Sequence, residues 1–200
     1  MKIAITGGNK GLGASLAQAW LAHGHTVDVF SRSNGYNIVD VDRMVNAVIN
    51  HDVLINNAYC GHAQTDLLYA IFLQWQGQRK YIINVSSEMT TRMVSYEITG
   101  TVAPLRWPQG QRDPGYRTAK IALEDAQHFL AQQNQWPRMQ MLRPGMLDTP
   151  REGFVPVGND QRNKIDTNAL AEWLYQNWAN RDQFWVSEIT VNPLDWYKIN

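Results

Sequence analysis

The chain has 200 residues, 18 Lys plus Arg against 18 Asp plus Glu, no net charge at pH 7 and a single cysteine. That length suits one domain, read as 1–200, and the balanced charge excludes a global field that would draw nucleic acid or an anionic membrane surface. Cys60 alone cannot form an internal disulfide or a cysteine-rich zinc site, so no metal is expected and a small molecule is the expected partner.

The first six residues carry one cation and too few apolar side chains before Gly7 for a signal-peptide core. No apolar run approaches the roughly 18 residues that span a bilayer, and a cytoplasmic protein is expected. In chain order, 2–5 reads as a short apolar strand and 13–23 as a helix with Leu16, Ala17, Trp20 and Leu21 on one face, closed by Gly24. A second strand is expected over 26–30, despite Asp28, and a short third over 37–39. The spacing of Val41, Met44, Val45 and Val48 predicts a helix over 41–49, followed by a compact strand over 53–55. Leu67, Leu68, Ile71, Phe72 and Trp75 form a helical apolar stripe within 65–76, and 81–85 is apolar on both faces, as parallel strands are. Residues 88–115 carry Pro104, Pro108 and Pro114 with little periodicity and read as a long loop holding a short hairpin or helix. A helix over 116–133, a strand over 139–142, a helix over 168–177 and a last strand over 184–191 complete the series. About seven strands alternating with helices predict an α/β fold, a doubly wound parallel sheet in three α/β/α layers of the Rossmann type. The loops 88–115 and 146–166 are expected to shape the substrate site.

Thr6-Gly7-Gly8-Asn9-Lys10-Gly11-Leu12-Gly13 falls between the first strand and the first helix. Glycines there let the backbone approach a pyrophosphate, and the helix start offers free N–H groups and the positive end of its dipole. The spacing Thr-Gly-x-x-x-Gly-x-Gly resembles that of the short-chain dehydrogenase/reductase family. Four further segments resemble the same family in its order. They are Asn56-Asn57-Ala58 after the fourth expected strand, Asn84-Val85-Ser86-Ser87, Tyr116-Arg117-Thr118-Ala119-Lys120, and Pro144-Gly145 with Thr149. The resemblance implies a nicotinamide dinucleotide held by Gly7, Asn9, Lys10, Gly11, Leu12, Gly13, Ser31, Arg32, Asn57, Ala58, Tyr116, Lys120, Pro144, Gly145 and Thr149. It implies catalysis by Ser87, Tyr116 and Lys120, with Ser86 an open alternative to Ser87.

The chemistry of Tyr-x-x-x-Lys also stands on its own, since side chains four apart share a helix face and an ammonium beside a phenol favours the phenolate. Tyr116 is then a candidate proton shuttle for an alcohol or carbonyl. Choice of cofactor is read at the end of the second strand, where NAD-selective relatives place an acid. Ser31 stands there, followed by Arg32, with Lys10 in the glycine motif, so NADP(H) is expected over NAD(H). The leading reading is an NADP(H)-dependent oxidoreductase acting on a small carbonyl or alcohol. The alternatives are a nucleotide-sugar epimerase or reductase, suggested by the 29 positions from Ser87 to Tyr116, and a non-catalytic NADP(H) sensor.

Several features depart from the family pattern. Tyr59 replaces the glycine after Asn-Asn-Ala, the chain is short between its second and fourth strands and after Thr149, and the helix over 65–76 lacks the Asn that orders a relay water in relatives. Gln64 and Asp66 are the polar residues nearest that place. A homodimer or homotetramer is expected from the 65–76 stripe, because relatives pair this helix with the one bearing Tyr-x-x-x-Lys. Trp20, Trp75, Trp173 and Trp178 read as core or subunit contacts, His62 as a solvated loop residue, and His23 and His25 as a turn without metal-ligand spacing.

Overall fold

Alternation of buried side chains along each strand builds two apolar faces and hence two layers of helices around one sheet. The structure, a computed structural model, describes residues 1–91, 115–133, 135–149 and 164–193. Among these are strands β1 (Lys2–Thr6), β2 (Thr26–Phe30), β3 (Val53–Asn56), β4 (Tyr81–Val85), β5 (Arg138–Pro144) and β6 (Glu188–Val191). The helices are α1 (Gly11–Ala22), α2 (Val41–Val48), α3 (Ala63–Trp75), α4 (Tyr116–Ala131) and α5 (Thr167–Ala179). The strands form one parallel sheet in the order β2-β1-β3-β4-β5-β6, with Ile5 opposite both Val29 and Ile55, and Ile55 opposite Ile83.

On one face Ile3, Ile5, Ile55 and Ile83 pack with Leu16 and Trp20 of α1 and Leu174 and Trp178 of α5. On the other, Ala4, Leu54, Ile82 and Met141 pack with Met44 of α2, Phe72 of α3 and Leu123 of α4. Asp40 caps α2 by accepting from Arg43 N, and Asp166 caps α5 by accepting from Asn168 N and Ala169 N. Among the described residues, no helix is long and apolar enough to cross a membrane.

Three expectations are corrected. Residues 37–39 are not a strand: Asn37 Oδ1 accepts from Val39 N and Asn37 O from Asp40 N, so a turn leads into α2 and the described sheet has six strands with β2 at its edge. The last strand begins at Glu188 rather than at 184, because Phe184 N bonds Asn180 O and continues the turn that ends α5. The stripe Leu67, Leu68, Ile71, Phe72 and Trp75 is at most 1% exposed and packs on the chain's own sheet, so it offers nothing to a second subunit. Residues 92–114 and 150–163, most of the two expected substrate loops, lie outside the described residues.

Candidate active site

Parallel strands present their carboxyl ends on one side of the sheet, and the crossover direction reverses between β1 and β3, which is where doubly wound sheets open a crevice. The turn after β1 is tied to the turn after β3. Thr6 Oγ1 accepts from Asn57 N and Ala58 N, both at 2.9 Å, and Asn57 Nδ2 donates to Thr6 O at 3.0 Å and Gly7 O at 3.3 Å. Gly7 has φ +69°, and a Cβ on Gly13 would lie 2.2 Å from Gly7 O, so α1 starts closer to the turn than any side chain permits. The start of α1 has no side-chain cap and no acid in its first turn, leaving the positive end of the helix for an anionic ligand. Gly11 faces Thr149, whose Cγ2 would be 3.2 Å from a Cβ built there, so the segment after β5 reaches across to the glycine loop.

Beyond the glycine loop, Asn9 Nδ2 donates to Ser31 Oγ at 2.7 Å and Ser33 Oγ at 2.5 Å. Ser31 opens a single helical turn, with its N–H donating to Asn34 Oδ1 at 2.8 Å. The side chains meeting at the end of β2 are thus hydroxyls and amides. Arg32 and Lys10, next to Ser31 and Asn9 in the chain, are exposed.

The other wall is α4, whose inward face carries Tyr116, Lys120 and Glu124 at four-residue spacing. Tyr116, Lys120, Ser87, Tyr59, Leu12, Asn57, Pro144 and Gly145 border one cleft of about 150 Å³. Lys120 is 3% exposed, and its Nζ donates to Gln64 Oε1 at 2.7 Å and Val85 O at 2.6 Å. The ammonium stands 5.6 Å from the Tyr59 ring centroid and 5.7 Å from that of Tyr116, and the two rings meet edge to face at 4.7 Å. Burial pushes the Lys120 ammonium down to about 7, and the nearby Glu124 carboxylate opposes the shift.

The two serines at the end of β4 differ in their hydrogen bonds. Ser86 also borders the cleft, but its Oγ donates to Glu124 Oε1 at 2.5 Å, which commits its hydroxyl proton to that carboxylate. Glu124 also accepts from Thr90 Oγ1 at 2.7 Å and pairs with Arg143 Nε at 3.0 Å, and Arg143 Nη1 donates to Glu188 Oε2 at 2.8 Å. Among the described residues, Ser87 Oγ accepts a long bond from Met89 N, at 3.3 Å, and it borders the cleft with Tyr116. Of the two hydroxyls at the cleft, that of Ser87 is the less committed within the described residues.

The structure brings Leu12, Asn57, Ser87, Tyr116, Lys120, Pro144 and Gly145 to the cleft itself, and the alternative Ser86 with them. Gly7, Gly11, Gly13, Ala58 and Thr149 lie along the rim toward β1, while Asn9 and Ser31 stand at the end of β2, with Lys10 and Arg32 beside them. Sequence reasoning passed over Glu124, although its place four residues after Lys120 is a visible signal. It also passed over Tyr59 as part of the cleft, and over Asn84 and Gln127. Asn84 is buried within β4, accepts from Asn56 Nδ2 at 2.9 Å and donates to Gln127 Oε1 at 2.9 Å. These contacts join residues 28 and 43 positions apart, which no local pattern reveals. Among the described residues there is no cluster of three potential metal ligands, and His23 instead pairs with Glu172 at 2.9 Å.

No family model matches the chain, and no curated protein does. Among solved structures, the chain is similar to an alcohol dehydrogenase from the archaeon Thermococcus sibiricus, complexed with 5-hydroxy-NADP, at 16% identity over 100% of both chains with a TM-score of 0.75. A 3-alpha-hydroxysteroid dehydrogenase from Pseudomonas sp. B-0831, complexed with NADH, aligns at 20% identity over 98% of this chain and 97% of that one, with a TM-score of 0.70. UDP-N-acetylglucosamine 4-epimerase from Bacillus cereus aligns at 18% identity over 96% of this chain and 78% of its own, with a TM-score of 0.65. With the sheet order and the two helical layers described above, the chain has the Rossmann fold of the solved short-chain dehydrogenases/reductases.

Proposed function

We propose that the chain is an NADP(H)-dependent oxidoreductase of the short-chain dehydrogenase/reductase type, acting on a small carbonyl or alcohol. The observation that carries this reading is the convergence of Ser87, Tyr116 and Lys120 on one cleft that also includes Leu12 of the first turn of α1. The glycine loop fits a pyrophosphate, because Gly13 leaves no room for a Cβ and the uncapped start of α1 faces the rim. Gly7 to Gly13, Asn57, Ala58 and Thr149 would hold the dinucleotide, which when bound supplies or accepts the hydride.

The chain's own residues have distinct tasks. Ser87 donates a hydrogen bond to the substrate oxygen and orients it toward Tyr116. Tyr116 gives its phenolic proton to that oxygen as a carbonyl is reduced and recovers it in the reverse direction. Lys120, 5.7 Å from the Tyr116 ring, supports the phenolate through its positive charge and points its remaining donor capacity at the cleft. Tyr59 and Leu12 give the cleft an apolar lining that excludes water. A panel of small aldehydes, ketones and alcohols assayed with NADPH and NADP tests the reading. Carbonyl-dependent oxidation of NADPH is expected, and binding of the dinucleotide without turnover on any compound favours the sensor instead.

NADP(H) is supported over NAD(H) by the hydroxyl and amide cluster of Asn9, Ser31 and Ser33 at the end of β2, which among the described residues includes no carboxylate, and by Arg32 next to Ser31 in the chain. A hydrogen bond to a charged group contributes roughly 1.5–3 kcal/mol, so Arg32→Ala should weaken NADPH about ten- to a hundredfold and leave NADH nearly unchanged. Isothermal titration with both dinucleotides measures this. Equal affinities in the unaltered protein would overturn the assignment.

A nucleotide-sugar epimerase is the second reading, favoured by the wide Ser87 to Tyr116 spacing and by the likeness to the Bacillus cereus epimerase. Self-association is proposed through another surface than the stripe of α3. Tyr69 and Leu73 of α3 and Ile121 and Phe129 of α4 are exposed apolar side chains on neighbouring helices. A sedimentation mass of one chain at micromolar concentration would remove that proposal.

A further inference from the structure

A buried amide meets Lys120 behind the cleft. Gln64 lies in the first turn of α3 and is 2% exposed. Its Nε2 donates to Asn56 O at 2.5 Å, at the end of β3, and to Val85 O at 3.0 Å, at the end of β4. Its backbone carbonyl accepts from Asn56 Nδ2 at 3.0 Å. With both amide protons committed, Oε1 can only accept, and it accepts from Lys120 Nζ. Val85 O is shared, since it accepts from Lys120 and from Gln64 together. The amide orientation is therefore dictated by two strand ends, and the carbonyl that faces Lys120 cannot turn away without stranding buried donors.

We propose that Gln64 is the positioning residue for Lys120, its side-chain carbonyl holding the ammonium charged and aimed at the cleft. The claim about Lys120 rests on the geometry alone, while its consequence for a bound dinucleotide rests on the function proposed above. An ammonium buried this deeply loses its hydration, and a neutral acceptor fixed at 2.7 Å restores part of it. Tyr116 and Glu124 flank Lys120 on α4, Tyr59 faces it after β3, and the buried Glu88 follows β4. Arg143 on β5 pairs with Glu124 and so offsets that carboxylate. Gln64 is the acceptor among them whose removal changes no charge.

The ammonium form predominates below about pH 7 and is lost as pH rises through it. A hydrogen bond that favours the charged form raises this midpoint, so removing it moves the loss to lower pH. The test follows the lysine side-chain NMR signal of Lys120 against pH in the ligand-free protein, assigned by its absence in Lys120→Met. In Gln64→Met, which keeps the length of the side chain but lacks the carbonyl, the midpoint should fall by about one pH unit. NADPH affinity at pH 7 should then weaken about fivefold and converge with that of the unaltered protein at low pH, since such a shift takes the ammonium from about half to about a tenth of the molecules. Gln64→Glu retains an acceptor and adds negative charge, so its midpoint should rise.

A folded Gln64→Met with an unchanged Lys120 midpoint would overturn the proposal, as would a lowered midpoint in Gln64→Glu. If neither variant folds, Gln64 is a brace between β3 and β4 and the assignment fails. A shifted Lys120 midpoint in a protein that binds no dinucleotide would keep Gln64 in its role and sink the nicotinamide reading instead.

Discussion

Tyr116→Phe is expected to lower kcat by about 10²–10⁴-fold while changing dinucleotide affinity little, because the ring and its packing remain and only the proton donor is lost. The ring meets Tyr59 edge to face at 4.7 Å, a contact that Phe preserves. Loss of rate without loss of the fold is thus the expected signature. Steady-state kinetics with the best carbonyl of the panel measures kcat, and fluorescence titration measures affinity. Ser87→Ala, beside it, should raise KM as well as lower kcat, since its hydroxyl would bind the substrate oxygen in both ground and transition states. A Tyr116→Phe protein with the rate of the unaltered chain would remove the phenol from the mechanism. Tyr59, the second phenol on the cleft, would then be the group to replace.

The largest stability effect is expected from Arg143→Leu. The Arg143 side chain is 7% exposed and joins Glu124 of α4 to Glu188 of β6 across β5, so among the described residues its removal leaves the mostly buried Glu124 with the Ser86 and Thr90 hydroxyls and the nearby Lys120 ammonium. Breaking a buried pair by deleting one member costs about 3–5 kcal/mol, which in a chain of this size lowers Tm by roughly 6–20 °C. The double replacement Arg143→Leu with Glu124→Leu should recover much of the loss, because the stranded charge goes with it.

The loss also depends on pH. The Arg143 hydrogen bond holds the Glu188 carboxyl below its ordinary range, with a smaller contribution from His128. A carboxyl so depressed adds stability above its ordinary pKa and forfeits it as pH falls through the depressed value. The melting temperatures of the unaltered and Arg143→Leu proteins should therefore approach each other toward pH 3. Calorimetry across pH 3–8 checks both parts. A loss below about 1 kcal/mol at pH 7 would show that the network is solvated and contributes little.

By itself the sequence determined the alternation of strands and helices and the order of the motifs, because these depend on local spacing. Apolar residues of period two and 3.6, a glycine motif at a strand-to-helix turn, and Tyr116 four residues before Lys120 are written within a few positions of each other. The tertiary structure decided what required distant segments to meet. It turned residues 37–39 into a turn, since β2 is the described edge and no further strand pairs there. It buried the α3 stripe in the chain's own core, because periodicity reports that a face is covered but not by what. It distinguished Ser86 from Ser87 through Glu124, 38 positions from Ser86, which takes the Ser86 hydroxyl proton, since only the surroundings decide what each hydroxyl bonds. Lys120 gained its buried acceptor in the same way, from Gln64, 56 positions earlier, because desolvation and hydrogen bonding act through space and leave no trace in local spacing.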